Sequence, residues 1–263
     1  MKTLQRTAVR PEAGGEPLPP AFRVFQQNNI VVRRAELSVI AGAPGAGKSS
    51  LALAIAVRLG MPTLYISADT NAHTMAMRVL AMVGGFTQQQ AEYMLEAQPE
   101  QAEEIFRSVS HIFWSFDSTP SLRDLDLEIS AFETQWGVSP TLIVVDNLMD
   151  IAMDGHDEFG GMRAAMKELK FLARETNAAV LVLHHTQESV AGAPCQPRSA
   201  IQGKVSQIPA LVLTTAQEQV GDTNYLCVAP VKNRYGKADL TGMYYLRLQF
   251  NPEAMQLQDV ANI

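Results

Sequence analysis

The chain has 263 residues, 47% of them hydrophobic, and a formal net charge of −6. Such a length supports a large core in one α/β unit, and the acidic balance excludes a surface coated in basic residues, although a local basic channel stays open. Cys195 and Cys227 lack metal or redox spacing, residues 1–15 lack the apolar stretch of a signal peptide, and no apolar run is long enough to span a bilayer, so a cytoplasmic protein is expected.

Residues 1–20 carry Pro11, Gly14, Gly15, Pro17, Pro19 and Pro20 and are expected to form a flexible or extended arm, leaving 21–263 as one domain. Residues 36–41 read as a short buried strand. Gly42, Ala43, Pro44, Gly45, Ala46, Gly47, Lys48 and Ser49 then fit G-x-x-x-x-G-K-[ST], the phosphate-binding P-loop, with Ser50 opening a helix over 50–59 that Gly60 and Pro62 close. Strand before and helix after are the context this loop needs. Its glycines let backbone N–H groups approach a polyphosphate, and the helix N-terminus adds partial positive charge there. Lys48, expected in a solvent-facing loop, would reach the β- and γ-phosphates, and the Ser49 hydroxyl would ligate Mg²⁺. A nucleoside triphosphate is the expected ligand.

Further strands are expected at 63–67, 111–114, 141–146, 179–185, 209–215 and 225–230. Helices are expected at 72–83 and 161–176. One or two polar, acidic helices are expected over 87–109, and a helix over 121–136 with Leu122, Leu125, Ile129 and Phe132 at helical spacing. Residues 243–250 close the sheet at an antiparallel edge. No internal repeat is visible. Continuous apolar strands joined by helices indicate a mostly parallel central sheet flanked by helices on both faces.

Asp146 ends the most apolar strand, the Walker B arrangement, where a strand delivers a carboxylate to Mg²⁺ beside Ser49. The next residue, Asn147, cannot take a proton, so the general base must lie elsewhere. Asp69, just past the 63–67 strand, is the first candidate, with capping of the following helix as the alternative role. Asp150 is the second. His184 and His185 end the strand at 179–185. Either is a core histidine by default, and His185 is the candidate γ-phosphate sensor. The long segment 187–207 is small, polar and weakly basic, with Arg198 and Lys204 as candidate nucleic-acid contacts. A shorter acidic loop, 154–161, suits phosphate less. Lys232 and Arg234 are either solvated hairpin charges or, in a ring of subunits, cations that reach the neighbour's γ-phosphate.

Taken together, the P-loop, Tyr65-Ile66-Ser67-Ala68-Asp69-Thr70, Leu142-Ile143-Val144-Val145-Asp146-Asn147-Leu148, Leu183-His184-His185-Thr186 and Val231-Lys232-Asn233-Arg234-Tyr235-Gly236 resemble the RecA-fold motor domain of DnaB-like replicative helicases, in the short form carried by phages. The resemblance covers residues 22–250. It implies a RecA-like P-loop NTPase, with the 63–67 strand beside the P-loop strand. It further implies ATP and Mg²⁺ as cofactors, a homo-oligomeric ring, as a rule a hexamer, and translocation on single-stranded DNA during replication, with a helicase loader or primase as further candidate partners. In that family the acidic residue after the second strand is the base and is usually glutamate, so Asp69 is one methylene short. The residue matching His185 contacts the γ-phosphate, and the pair matching Lys232 and Arg234 acts in trans. The loops after Walker B and after the His185 strand hold single-stranded DNA. Residues 1–20 stand where the full-length bacterial helicases have a helical domain. The segment Lys232-Asn233-Arg234-Tyr235-Gly236 also resembles the signature of RadA-like recombination ATPases, whose four-cysteine zinc finger this sequence lacks. A RecA-fold ATPase that uses nucleotide only as a switch is a third expectation.

Overall fold

The computed structural model of the chain describes residues 15–152, 158–187 and 194–260. Its strands are β1 (Leu37–Gly42), β2 (Thr63–Ser67), β3 (Ile112–Ser115), β4 (Leu142–Asp146), β5 (Ala179–His185), β6 (Leu211–Val220), β7 (Thr223–Asn233), β8 (Leu246–Asn251) and β9 (Gln256–Asp259). The helices are α1 (Arg23–Gln27), α2 (Lys48–Leu59), α3 (Ala72–Gly84), α4 (Gln88–Ala97), α5 (Pro99–Ser108), α6 (Leu122–Trp136) and α7 (Glu158–Thr176).

All nine strands join one sheet in the order β3-β2-β4-β5-β1-β6-β7-β8-β9. The pairs from β3 through β6 are parallel, and those from β6 to β9 are antiparallel. Every residue of β1, β2 and β4 is buried, which is why these strands read as unbroken apolar runs. Strand β8 alternates buried and exposed positions, because one of its faces meets solvent. Side chains alternate across the sheet. Ile40, Tyr65 and Val144 join one core, covered by α1 to α5, while Val39, Ile66 and Val145 join the other, covered by α6 and α7. Local signals set the helix ends: Thr87 with Gln90 and Ser121 with Asp124 form capping boxes, and Gly60, Gly85 and Gly137 close helices in the left-handed conformation.

The structure corrects several expectations. Strand β2 does not lie beside the P-loop strand; β4 and β5 stand between them. The C-terminal edge is not the segment expected at 243–250, since β9 pairs outside β8. Strand β9 is short and polar, with only Leu257 of its residues buried, so its composition gave no strand signal. Five-residue α1 was likewise invisible. Of the segment expected as a flexible or extended arm, residues 15–20 lie docked on the domain, where Leu18 is buried and its N–H donates to the Val32 carbonyl at 2.9 Å. The described part of the 187–207 segment is not structureless. Thr186 bridges Ile201, and 3₁₀ turns occupy Arg198–Ala200 and Gln202–Gln207. Residues 1–14, the acidic stretch 153–157, and 188–193 lie outside the described residues.

Candidate functional site

The P-loop leaves β1 at Gly42 and enters α2 at Lys48. Gly47 caps the helix at a φ of 79°, and a Cβ there would lie 2.5 Å from Leu226 Cδ1. Only glycine meets both conditions. The Gln217 amide, from β6, donates to the Gly45 carbonyl at 2.6 Å and ties the loop to the sheet. Lys48 is not solvent-facing as expected: it is 8% exposed, at the first turn of α2. Its Nζ donates to the carbonyls of Gly42 (3.1 Å) and Ala43 (2.9 Å). Burial pulls its pKa below the usual lysine range, while the charges of Asp146 and Asp69 push back.

Asp146 sits at the end of β4 and lines the cavity beside Ser49. Burial raises its pKa, and the neighbouring Ser49 side chain opposes that rise. The Tyr65 hydroxyl, from neighbouring β2, donates to Asp146 Oδ2 at 3.4 Å. The turn after β2 is pinned to the same place, because the N–H of Ala68 donates to the Asp146 carbonyl at 2.8 Å. This leaves the Asp69 side chain exposed on the cavity. Asp69 does not cap α3; Asn71 does, accepting from the Thr74 N–H at 2.9 Å. Asn147 is spent locally, accepting from the Met149 N–H.

A cavity of about 400 Å³ brings Lys48, Ser49, Asp69, Asp146 and His185 together, the last from the end of β5. Burial lowers the His185 pKa, with Lys48 adding to the effect, so the imidazole is neutral at neutral pH and able to donate or accept a hydrogen bond. Asp150 is half-buried, does not line the cavity, and has its carboxyl raised by burial and by Asp69. His184 points the other way. It is fully buried, donates from Nε2 to the Gln202 carbonyl at 3.1 Å, and burial holds its pKa down at about 4. It is a neutral tie between β5 and the turn at Gln202–Gln207.

Other cavity residues carried no sequence signal. Arg78, on α3, donates to Thr70 Oγ1 at 3.1 Å and adds positive charge near Asp146. Its spacing on an amphipathic helix looks like any solvated cation. Beyond Ser50, whose hydroxyl meets Met255 Sδ at 3.7 Å, Phe250, Pro252 and Met255 form an apolar end of the cavity. These come from the β8–β9 turn, the hairpin the sequence did not reveal.

The remaining candidates lie apart from this cavity. Leu211 pairs with Ser38 on one side and with Asn233 on the other, and the Arg234 N–H donates to the Ala210 carbonyl. Arg234 is therefore level with the start of β1, roughly 17 Å along the strand from Gly42 at ~3.3 Å per residue. Lys232 Nζ donates to the carbonyls of Gln207 (2.7 Å) and Ser206 (3.1 Å), and burial, with Arg234, Arg198 and Lys170 nearby, lowers its pKa to about 8. Lys204, at a φ of 52°, lines a second cavity of about 720 Å³ with Gly160, Arg163 and Gln202. Arg198 does not line it and stands instead near Lys232. Of the two candidate nucleic-acid contacts, Lys204 lines this cavity, joined by Arg163 from α7, and Arg198 adjoins Ser199 of its lining.

Among the described residues no helix is long and apolar enough to cross a membrane, and no group of three or more His, Cys, Asp or Glu side chains could hold a metal ion. A family profile described as AAA domain matches residues 2–190. The Gene 65 protein of Mycobacterium phage L5 is 33% identical, covering 94% of this chain and 94% of that protein. Among solved structures, a DnaB-like replicative helicase, studied with its primase interactions, superimposes with a TM-score of 0.80 at 15% identity, covering 93% of this chain and 63% of that one. A separately solved ATPase domain gives the same TM-score and identity, covering 93% of this chain and 91% of its own. The chain belongs to the AAA domain family and has the RecA-like fold of the DnaB-like helicase ATPase domains.

Proposed function

We propose that this RecA-fold ATPase is a ring-forming motor of the DnaB-like type. It hydrolyses ATP at subunit interfaces and moves along single-stranded DNA, with a hexameric ring acting in replication as its setting. One observation carries the interface reading: Arg234 lies at the opposite end of the sheet from the P-loop of its own chain. No side chain bridges roughly 17 Å, so a phosphate contact by Arg234 requires a second subunit.

The residues present fit a triphosphate with Mg²⁺. Hard oxygens from Ser49 and Asp146 adjoin a loop of N–H groups and the Lys48 ammonium. Two protein oxygens suit Mg²⁺, which keeps waters and phosphate oxygens as its other ligands. When bound, the ion neutralises charge that develops on the phosphates. Lys48 exchanges its carbonyl partners for phosphate oxygens. Asp69 orients a water and accepts its proton, and neutral His185 hydrogen-bonds the terminal phosphate. The apolar end formed by Phe250, Pro252 and Met255 receives the base.

Asp69→Asn is expected to keep nucleotide affinity and to lower turnover by about 10²-fold, as for loss of a general base. Asp69→Glu should retain substantial activity. Steady-state ATPase rates beside fluorescent-nucleotide titrations measure both, and wild-type turnover in Asp69→Asn would move the role to Asp150 or to no side chain.

Single-stranded DNA is assigned to the cavity with Arg163 and Lys204. Replacing both with alanine should lower the slope of log K against log salt by roughly 0.7 per lost phosphate contact. An unchanged slope in fluorescence anisotropy would take the strand elsewhere. The whole proposal is tested by ATPase rates with and without single-stranded DNA, alongside oligomer mass with a non-hydrolysable nucleotide. DNA-stimulated turnover in a ring supports it. DNA-independent turnover favours the switch.

A further inference from the structure

The loop that carries Arg234 does not hold itself in place. Tyr235 N–H bonds Asn233 Oδ1 at 3.0 Å, and among the described residues the other side-chain hydrogen bonds of 233–235 reach back to the segment after α1. Asn29 Nδ2 donates to the Tyr235 carbonyl at 2.6 Å, and Asn233 Nδ2 donates to the Asn29 carbonyl at 3.0 Å. The Tyr235 ring lies under the Arg33 guanidinium, 4.1 Å from its centroid, and its hydroxyl donates to Glu36 Oε1 at 3.1 Å. The fit is close. A Cβ on Gly236 would lie 2.7 Å from Asn233 Nδ2 and 3.1 Å from Asn29.

The chain is tied down on both sides of Asn29. Ile30 is buried and its N–H donates to the Phe25 carbonyl, while Asn28 Oδ1 accepts from the Tyr244 hydroxyl at 2.6 Å. Asn29 has a φ of 56°, a left-handed conformation that Asn, Asp and Gly tolerate best. Arg234 is left 43% exposed, with Glu36 Oε2 3.9 Å from Nη1. Such an open pair is weak, so a polyphosphate displaces it readily.

We propose that Asn29, with Tyr235 seated between Arg33 and Glu36, is the positioning residue that aims Arg234 at the nucleotide of the adjoining subunit. This rests on Arg234 acting in trans. Glu36 is the resting counter-ion, and the Asn29 amide fixes the direction of the turn. A misplacement of about 1 Å at a reacting centre can cost on the order of 10²-fold in rate.

Asn29→Asp keeps shape and tolerance of the backbone conformation but removes the donor. Asn29→Gly keeps the conformation and removes the side chain. Both are expected to bind fluorescent ATP as the wild type does and to turn over at least about 10-fold more slowly. Mixing separates positioning from a general structural defect. Lys48→Ala subunits, whose Arg234 is intact, should raise the activity of either Asn29 variant above the average of the two components. Arg234→Ala subunits should not. Wild-type turnover in both variants, loss of nucleotide binding in both, or equal rescue by both partners would overturn the assignment. If Lys48→Ala also fails to rescue Arg234→Ala despite confirmed co-assembly, the trans action of Arg234 is wrong, and the role of Asn29 goes with it.

Discussion

Lys48→Ala is expected to lower ATP turnover by about 10³-fold or more, the scale for removing a preorganised positive group from a site of developing charge. Nucleotide affinity should fall by about 10-fold or more through the lost charge-assisted bonds to phosphate. The fold should survive. The ammonium is buried against the Gly42 and Ala43 carbonyls, so its removal abandons two hydrogen bonds but also relieves a desolvated charge. Alanine is moreover the best helix former for the first turn of α2. Lys48→Met, which fills a similar volume, controls for any packing loss. Turnover, fluorescent-nucleotide binding and thermal unfolding would be measured together. Wild-type hydrolysis by either variant removes the P-loop assignment, whereas unfolding of alanine with survival of methionine separates packing from chemistry.

Arg234→Ala is the second large effect. Its P-loop is intact and remote, so the variant should bind nucleotide as the wild type does. Turnover should drop by about 10³-fold, the lower end for an arginine that stabilises charge in phosphoryl transfer. Mixed with Lys48→Ala, it should recover activity above the average of the two, since some interfaces then join one good P-loop to one good arginine. A solvated surface cation predicts little loss and no recovery. The difference between these outcomes is decided by strand order. Arg234 lies near the N-terminal end of β1 and Lys48 beyond its C-terminal end, because β7 runs antiparallel beside β6. Lys232 is less free, since its ammonium already donates to two carbonyls of the turn at Gln202–Gln207. It ties the segment carrying Lys204 to the strand that leads to Arg234.

The sequence by itself determined the buried strands, most of the helices and the motif residues of the cavity, but not α1 or β9. The P-loop is legible because its motif is short and contiguous and the positive φ of Gly45 and Gly47 is a demand of the loop itself, whereas the close approaches of Thr215 to Gly42 and of Leu226 to Gly47 are made by the folded sheet. The buried strands are legible because a strand covered on both faces must be apolar throughout, as β1, β2 and β4 are. Asp146 stood out for the same reason, as a carboxylate ending such a strand.

What tertiary structure alone decided is which of these ends meet. The order β2-β4-β5-β1 gathers Asp69, Asp146 and His185 over Lys48, and β2 reaches the cavity without adjoining β1. The hairpin of β8 and β9 brings Met255 against Ser50, although β9 has almost no apolar pattern of its own; it forms because β8 supplies the ladder and Leu257 fills the core. Asn29 and Tyr235 meet across 206 positions of chain. Contacts of that kind leave no trace in local spacing. They follow from strand pairing and from the packing of whole helices on the sheet, where a polar residue such as Asn29 is chosen by a partner that only the folded chain brings within reach.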